Sequence, residues 1–326
     1  MTKGTLWVFK IIVTLLILTY IFSSIPIPSI LTAFASLDLS VIFFVIPVIL
    51  LSTIVSTVQL KVFTDNHHMH VSFSRILAIN FSTEFYNLFL PSYLAGGAIR
   101  WHKLSKDNKK RAEAFAALIL NRLVNTLTLT FFGFICWKFE STTITHDYYG
   151  LFFLTLFLGL LSVYALLFSK PMSTMFHNIL LHPKFRLIPS PILRGLSKLL
   201  HAAVEYQKLS LREHGLIFFL SSFWQILGGI FFFLLARAIG VEISFESLGW
   251  IRSILGLLLL FPVSISGFGV REGGLIFLFA YFGIAPATAI AFSFLVFART
   301  LLLGLIGALL EVKGTLMPAE HGTLKS

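Results

Sequence analysis

Hydrophobic positions along this chain gather into long runs and do not alternate with polar ones. The runs cover about 6–25, 41–63, 72–99, 113–138, 149–169, 214–239, 248–284 and 286–311. Crossing the hydrocarbon core of a bilayer takes roughly 20 apolar residues. Two runs, 72–99 and 248–284, are too long for one straight crossing, and each is interrupted in its middle by Pro and Gly. The pattern predicts an all-α polytopic membrane protein, with about six full transmembrane helices and two re-entrant broken-helix hairpins. We expect a single integral membrane domain over 1–326. The first run follows Lys3 and holds Lys10, as a signal peptide would. It passes into Ser23-Ser24-Ile25-Pro26 with no small-x-small cleavage site, so a retained helix is expected.

The polar positions give the orientation. Of the 25 Lys and Arg residues, 19 lie in the N-terminus, the turn near Lys61 and Arg75, the stretch 100–111, the loop 170–212 and the tail. The loop 26–40, the stretch 240–247 and the turn 283–288 hold none. Basic loops face the cytoplasm, which predicts cytoplasmic N- and C-termini. Segment 72–99 then begins and ends on the cytoplasmic side, and 248–284 begins and ends outside. Broken backbone at membrane depth survives where protein or a wet cavity satisfies it.

The two breaks resemble each other. The first reads Phe89-Leu90-Pro91-Ser92-Tyr93-Leu94-Ala95-Gly96-Gly97-Ala98-Ile99-Arg100. The second reads Leu260-Phe261-Pro262-Val263-Ser264-Ile265-Ser266-Gly267-Phe268-Gly269-Val270-Arg271. Both fit Pro-x4-Gly-x3-Arg, and each precedes a helix with an arginine in its apolar stretch, Arg122 and Arg299. Equal spacing with opposite orientation predicts an inverted repeat, an arrangement in which transporters place the substrate site where broken helices meet.

Composition agrees: 57% of residues are hydrophobic, 12% are charged, and mean hydropathy is +0.90. A soluble domain carries about a quarter charged residues. The net charge of +11 suggests nucleic acid until its sorting into loops is seen. Cys136, the single cysteine, excludes an intramolecular disulfide and carries no expectation of metal or catalysis. Asp65, His67, His68 and His70 are nearly consecutive on a short loop, without the frame of a zinc site. No phosphate loop or dinucleotide fingerprint is present, so no cofactor is expected. Residues 191–208 place Ile192, Leu196, Leu199, Leu200 and Ala203 at helical spacing among basic residues, which suits a helix lying on the anionic inner leaflet or a solvated linker.

Charges inside a bilayer are costly and ask for a partner or a role. Arg122 lies some nine residues into its run, between Asn121 and Asn125. Arg271 and Glu272 open the return arm of the second hairpin, and Arg299 is mid-run. Glu84 shares a helix face with Asn80 and Asn87. One reading makes these internal ion pairs, Glu84 with Arg122 or Glu272 with Arg299. The other notes that Arg100, Arg122, Arg271 and Arg299 outnumber the nearby Glu84 and Glu272, a surplus suited to an anionic head group, since guanidinium forks match phosphate. Gly267 and Gly269, with Gly96 and Gly97 repeating the device, would let a ligand reach free N–H groups at a helix start. Gln225 with Ser221 and Ser222 either lines a cavity or bonds a neighbouring helix. Gly304, Gly307 and Ala308 form a packing face. The expected partner is an anionic phospholipid or a polyprenyl-phosphate lipid. The alternative is a membrane-embedded enzyme, or an accessory subunit, of polyprenyl-linked glycan or head-group transfer, with Glu84 or Glu272 as base.

At 262–273, PVSISGFGVREG, and at 87–100, NLFLPSYLAGGAIR, the chain resembles the lysylphosphatidylglycerol synthase transmembrane region family. The likeness runs nearly the whole length. It implies a prokaryotic inner-membrane protein of flippase type. Members carry acidic residues where this chain has Gly97, Asn121 and Asn125, while Gly267, Gly269, Arg271, Glu272 and Arg299 keep the pattern. The chain ends fifteen residues after Glu311, so no cytosolic aminoacyl-transfer activity is expected.

Overall fold

A computed structural model of the protein describes residues 19, 27–35, 37–66, 69–89, 93–108, 110–140, 147–168, 209–261, 264 and 266–316. Among these the regular elements are helices: α1 (Ile27–Ala35), α2 (Leu39–Asn66), α3 (Phe73–Phe89), α4 (Tyr93–Asn108), α5 (Arg111–Lys138), α6 (Asp147–Phe168), α7 (Leu211–Ala238), α8 (Phe245–Leu258), α9 (Val270–Ala280) and α10 (Pro286–Leu316). Five of them, α2, α5, α6, α7 and α10, are long and apolar enough to cross a membrane. The protein is an all-α, multi-pass membrane protein. The span expected at 6–25 and the helix expected at 191–208 lie outside the described residues.

Local chemistry explains several helix starts. Ser210 and Glu213 form a capping box: the Ser210 hydroxyl accepts from the Glu213 amide, and the Glu213 carboxylate accepts from the Ser210 amide at 2.7 Å. The Ser244 hydroxyl accepts from the Ser247 amide at 3.0 Å to open α8. Pro286 stands first in α10, where its missing N–H removes no helical bond.

Both long runs break into two shorter helices. With 17 and 16 residues, α3 and α4 are about 25 Å long at 1.5 Å per residue. With 14 and 11 residues, α8 and α9 are about 21 and 17 Å long. All four fall short of the roughly 30 Å of a bilayer core. Two boundaries differ from the sequence reading. The first hairpin does not end at 99, because α4 continues to Asn108 and carries Arg100 inside it. The basic residues that read as loop lie on a helix whose inner face buries Leu104 and Ser105 and whose Lys103 pairs with Glu311 of α10. The stretch 26–40 is not all loop either, since α1 buries Ile30 against Ile290 and Ala291 of α10.

Packing follows a two-fold rule. Exchanging α1–α5 with α6–α10, element by element, preserves most of the helix contacts. The first helix of each broken run lies along the long helix that follows the other broken run, α3 on α10 and α8 on α5. The pairs α4 with α5 and α9 with α10 match, as do α2 with α3 and α7 with α8, and α6 on α5 answers α1 on α10. The helices α2 and α7 pack on each other and would map onto each other.

Small residues make the two main crossings possible. Helices in lipid gain little from burying apolar surface against one another, so close backbone approach carries the association. A Cβ on Gly307 would lie 2.6 Å from the carbonyl carbon of Phe81, and one on Gly304 would lie 2.8 Å from Leu88. This is the packing face expected of that helix. At the counterpart crossing, a Cβ on Gly133 would lie 2.7 Å from Ser253 Cβ, and one on Gly249 would lie 3.0 Å from Cys136 Cβ and closer still to its sulfur. Trp250, Phe279 and Phe292 fill the buried centre of the second unit.

Candidate functional site

The break before α9 winds through the left-handed region, with φ of +51° at Ser266, +78° at Gly267 and +83° at Gly269. Only glycine takes such values without strain, which accounts for two of the three residues. The turn delivers α9 with its third residue, Glu272, folded back over its own start. The Glu272 carboxylate accepts from the Gly269 amide at 2.6 Å, from Arg271 Nη2 at 2.9 Å and from the Ser293 hydroxyl at 2.6 Å. Arg271 Nε donates to Ser293 Oγ at 2.8 Å, and the guanidinium lies between the rings of Phe268 and Phe297, 5.3 and 5.1 Å from their centroids. Both charged residues are buried, at 4% and 1% exposure.

Two sequence expectations change here. The partner of Glu272 is Arg271, not Arg299. Two of the amide groups at the start of α9 are already taken: Gly269 N–H serves Glu272 and Arg271 N–H serves the Gly267 carbonyl at 2.9 Å. A carboxylate at a helix N-terminus is favourable, and this chain supplies its own.

The first break is built differently. Gly96 lies inside α4, three residues past its start, so the first glycine pair does not repeat the left-handed turn of the second. Its role is contact: a Cβ there would lie 2.8 Å from Asn87 Cγ and 3.1 Å from Thr83 on α3. Around Gly97 there is open space. Asn87 Nδ2 donates to Glu84 at 3.3 Å, and Asn80 Nδ2 donates to Thr57 Oγ1 at 2.9 Å. Arg100, half-buried on α4, feels the opposite charge of Glu84 and the like charge of Arg122.

The two breaks touch. The Ser266 hydroxyl donates to the Asn87 backbone carbonyl at 2.6 Å, joining the left-handed turn of the second unit to the end of α3 in the first. Asn87 also carries one of the polar atoms that lack partners. Among the described residues, the buried side-chain atoms without a hydrogen bond are Asn80 Oδ1, Asn87 Oδ1, Asn121 Oδ1, Arg100 Nε and Trp137 Nε1. The first four belong to α3, α4 and α5. The two amides on α3 are not explained by turning them over. Asn87 must offer N–H to the Glu84 carboxylate, and Thr57 gives its own proton to the Thr53 carbonyl at 2.7 Å, so it accepts from Asn80. Each such unmet group costs about 1–3 kcal/mol.

A second polar structure occupies the middle of the bundle. Asn125 and Gln225 each stand at the midpoint of a 28-residue helix, α5 and α7. Asn125 Oδ1 accepts from Gln59 Nε2 at 3.0 Å and from the Ser221 hydroxyl at 2.6 Å. Gln225 Nε2 donates to the Asn125 carbonyl at 2.9 Å, and its Oε1 accepts from Arg252 Nη1 on α8 at 3.0 Å. Gln225 and Ser221 therefore join neighbouring helices. Arg252 is a residue the sequence reading passed over. The available signal was an arginine within the apolar run 248–284, outside every basic loop. Ser266 and Ser293 were also missed, and no spacing rule singles out serines of this kind.

Arg122 and Arg299 are half-buried on α5 and α10, and Arg299 acts on Arg252 as a like charge. Toward the end of α4, a surface cavity of about 400 Å³ is lined by His102, Ser105, Lys106 and Arg111. Asp65, part of the His-rich stretch, pairs with Lys61 at 2.8 Å. No group of three or more His, Cys, Asp or Glu side chains comes together among the described residues.

The family model described as the lysylphosphatidylglycerol synthase TM region covers residues 7–308. No curated protein and no solved structure matches the chain.

Proposed function

The chain belongs to the lysylphosphatidylglycerol synthase TM region family, and on that premise we propose that it moves an anionic lipid between the leaflets of a prokaryotic inner membrane. The cargo class is an anionic phospholipid or a polyprenyl phosphate. The N- and C-termini face the cytoplasm, and the two hairpins enter the membrane from opposite sides as halves of an inverted repeat.

The observation that carries this reading is the contact of the two breaks, Ser266 on Asn87, whose side-chain oxygen is among the buried polar atoms without a partner in the described residues. Transporters of this general design place the substrate where broken helices meet near the midplane. The head group passes Arg100, Glu84 and Arg122 on the first unit and Arg299 on the second. Arg271, Glu272, Gly267 and Gly269 hold the second break in shape, with Gly96 setting the approach of α3 and α4. Head-group transfer chemistry would require a carboxylate base, and the Glu272 oxygens already receive the Gly269, Arg271 and Ser293 donors. That reading rests on Glu84 alone.

The test is reconstitution of the purified protein into liposomes with labelled anionic phospholipids, a zwitterionic phospholipid and a polyprenyl phosphate, followed by leaflet exchange. Exchange of an anionic lipid above protein-free liposomes, with no covalent product, is expected. Covalent product without exchange would overturn translocation in favour of head-group chemistry.

A further inference from the structure

We propose that Arg252 forms an anion site at mid-span that takes a phosphate group, free or as part of a lipid head group. Lipid as the source of that phosphate rests on the translocation reading above, whereas binding itself does not.

Depth is set by the residue that Arg252 touches. Gln225 lies halfway along α7, about 20 Å from either end at 1.5 Å per residue. Its orientation is fixed. The Gln225 amide nitrogen donates to the Asn125 carbonyl at 2.9 Å and to Thr128 Oγ1 at 3.3 Å, so its oxygen faces Arg252. Asn125 is held in turn by Gln59 and Ser221. A relay across α2, α5, α7 and α8 thus presents one guanidinium at a set position.

The surroundings make room for that guanidinium. A Cβ on Gly228 would lie 2.5 Å from Arg252 Nε and would overlap the rest of the group. The Trp224 ring lies 5.8 Å from Arg252 Cζ.

Charge decides the matter. Among the described residues no carboxylate pairs with Arg252, and the charge acting on it from α10 is the like charge of Arg299. The same protein neutralises Arg271 with Glu272 on the next helix, α9. A partly buried cation without a counter-ion is unfavourable, and the like charge of Arg299 acting on it makes it more so. Arg252 is also half-buried where Arg271 is closed off. One of its five N–H donors goes to Gln225. The remaining fork matches two oxygens of a phosphate group, whose negative charge relieves Arg252.

Trp224 supplies the reporter. The full chain in uncharged maltoside micelles is titrated with inorganic phosphate and, separately, with short-chain phosphatidylglycerol, reading tryptophan emission. A saturable change is expected that disappears in Trp224→Phe. Arg252→Gln should weaken apparent affinity at least tenfold, Gly228→Ala likewise by displacing the guanidinium, and Arg252→Lys several-fold through loss of the fork. Size exclusion and circular dichroism confirm matched folding, and Arg252→Lys, which keeps the charge, decides if Arg252→Gln does not fold. Response to both probes assigns a phosphate site, and response to the lipid alone assigns a head-group site. No saturable response in the wild type, or wild-type affinity in the folded arginine and glycine variants, overturns the proposal. Leaflet exchange on the same preparations separates the two readings. Unchanged exchange in a folded Arg252→Gln that has lost phosphate binding takes the site off the translocation path and leaves translocation, whereas arginine-dependent binding without exchange in the wild type keeps the site and overturns translocation.

Discussion

Replacing Glu272 by Gln tests whether the Arg271–Glu272 pair is a structural clamp. The carboxylate accepts from the Gly269 amide at 2.6 Å, from Arg271 Nη2 and Nε at 2.9 and 3.2 Å, and from Ser293 Oγ at 2.6 Å. Glutamine turns one acceptor oxygen into a donor, so N–H meets N–H whichever way the amide is placed. It also leaves the Arg271 cation, 4% exposed, without its counter-charge. Breaking one side of a buried pair costs about 3–5 kcal/mol. At about 2–4 °C per kcal/mol for chains of a few hundred residues, the unfolding midpoint in detergent should fall by roughly 6–20 °C. Replacing both residues, Arg271→Met with Glu272→Leu, removes the stranded charge and should recover most of the loss. A deficit of about 1 kcal/mol then remains from the uncapped Gly269 amide. Thermal unfolding followed by size exclusion reads both variants, and leaflet exchange per folded molecule should stay near the wild type. A Glu272→Gln protein with an unchanged midpoint and lost exchange would refute the clamp and assign Glu272 to coupling. One with both unchanged would remove either role.

Three other outcomes are expected. Gly307→Ala sets a methyl against the Phe81 backbone, which cannot rotate away, and should cost about 1–3 kcal/mol of stability by thermal unfolding; Gly159→Ala, with open space around it, should cost nothing measurable. In a Cys136→Ser background, cysteines placed near positions 107 and 184 should label only from the cytoplasm and those near 147 and 242 only from outside, and labelling of 107 and 147 from one side would remove the re-entrant first hairpin. The Asp38 carboxyl, which accepts from the Ser40 hydroxyl at 2.6 Å and its amide at 2.9 Å, is held below its usual range by those bonds. A depressed carboxyl stabilises the start of α2 above about pH 4 and loses that effect as pH falls through its folded value, so hydrogen exchange at Ser40 should quicken in acid, and a pH-independent protection factor would contradict this.

The hydrophobic runs were enough to predict α2, α5, α6, α7 and α10, because a membrane span is a composition signal averaged over 20 residues. The breaks were legible for the same reason, since Pro91, Pro262 and the glycines interrupt an otherwise apolar text. Boundaries written in amphipathic helix were not. Residues 100–108 read as loop because Arg100, Lys103 and Lys106 are charged, yet one face of α4 buries Leu104 and sends Lys103 to Glu311. Partner choice was illegible as well. Spacing showed that Glu272 needed a cation, but Arg271 or Arg299 would serve equally on paper. The left-handed turn at 266–269 and the position of Ser293 decide between them. Arg252 escaped because its role depends on Gln225 and Gly228, which lie some 25 residues away on another helix.

The two units use one motif in opposite ways, and the difference bears on where a ligand meets the protein. Arg271 is followed by Glu272, whereas Arg100, at the matching position, is followed by Trp101. Neutralisation within one turn closes the second break: cation, carboxylate, helix start and hydroxyl satisfy one another and are buried together. The first unit has Glu84 on the opposite arm, and among the described residues Arg100 Nε and the side-chain oxygens of Asn80, Asn87 and Asn121, on α3, α4 and α5, have no hydrogen-bond partner. Buried polar atoms seldom go unpaired where stability alone is selected. A donor from a guanidinium alongside amide acceptors suits a group carrying both anionic oxygens and hydroxyl or amine hydrogens. Under the proposed translocation, the self-satisfied second break is the fixed wall, and the first unit is the face that changes partners when a head group enters.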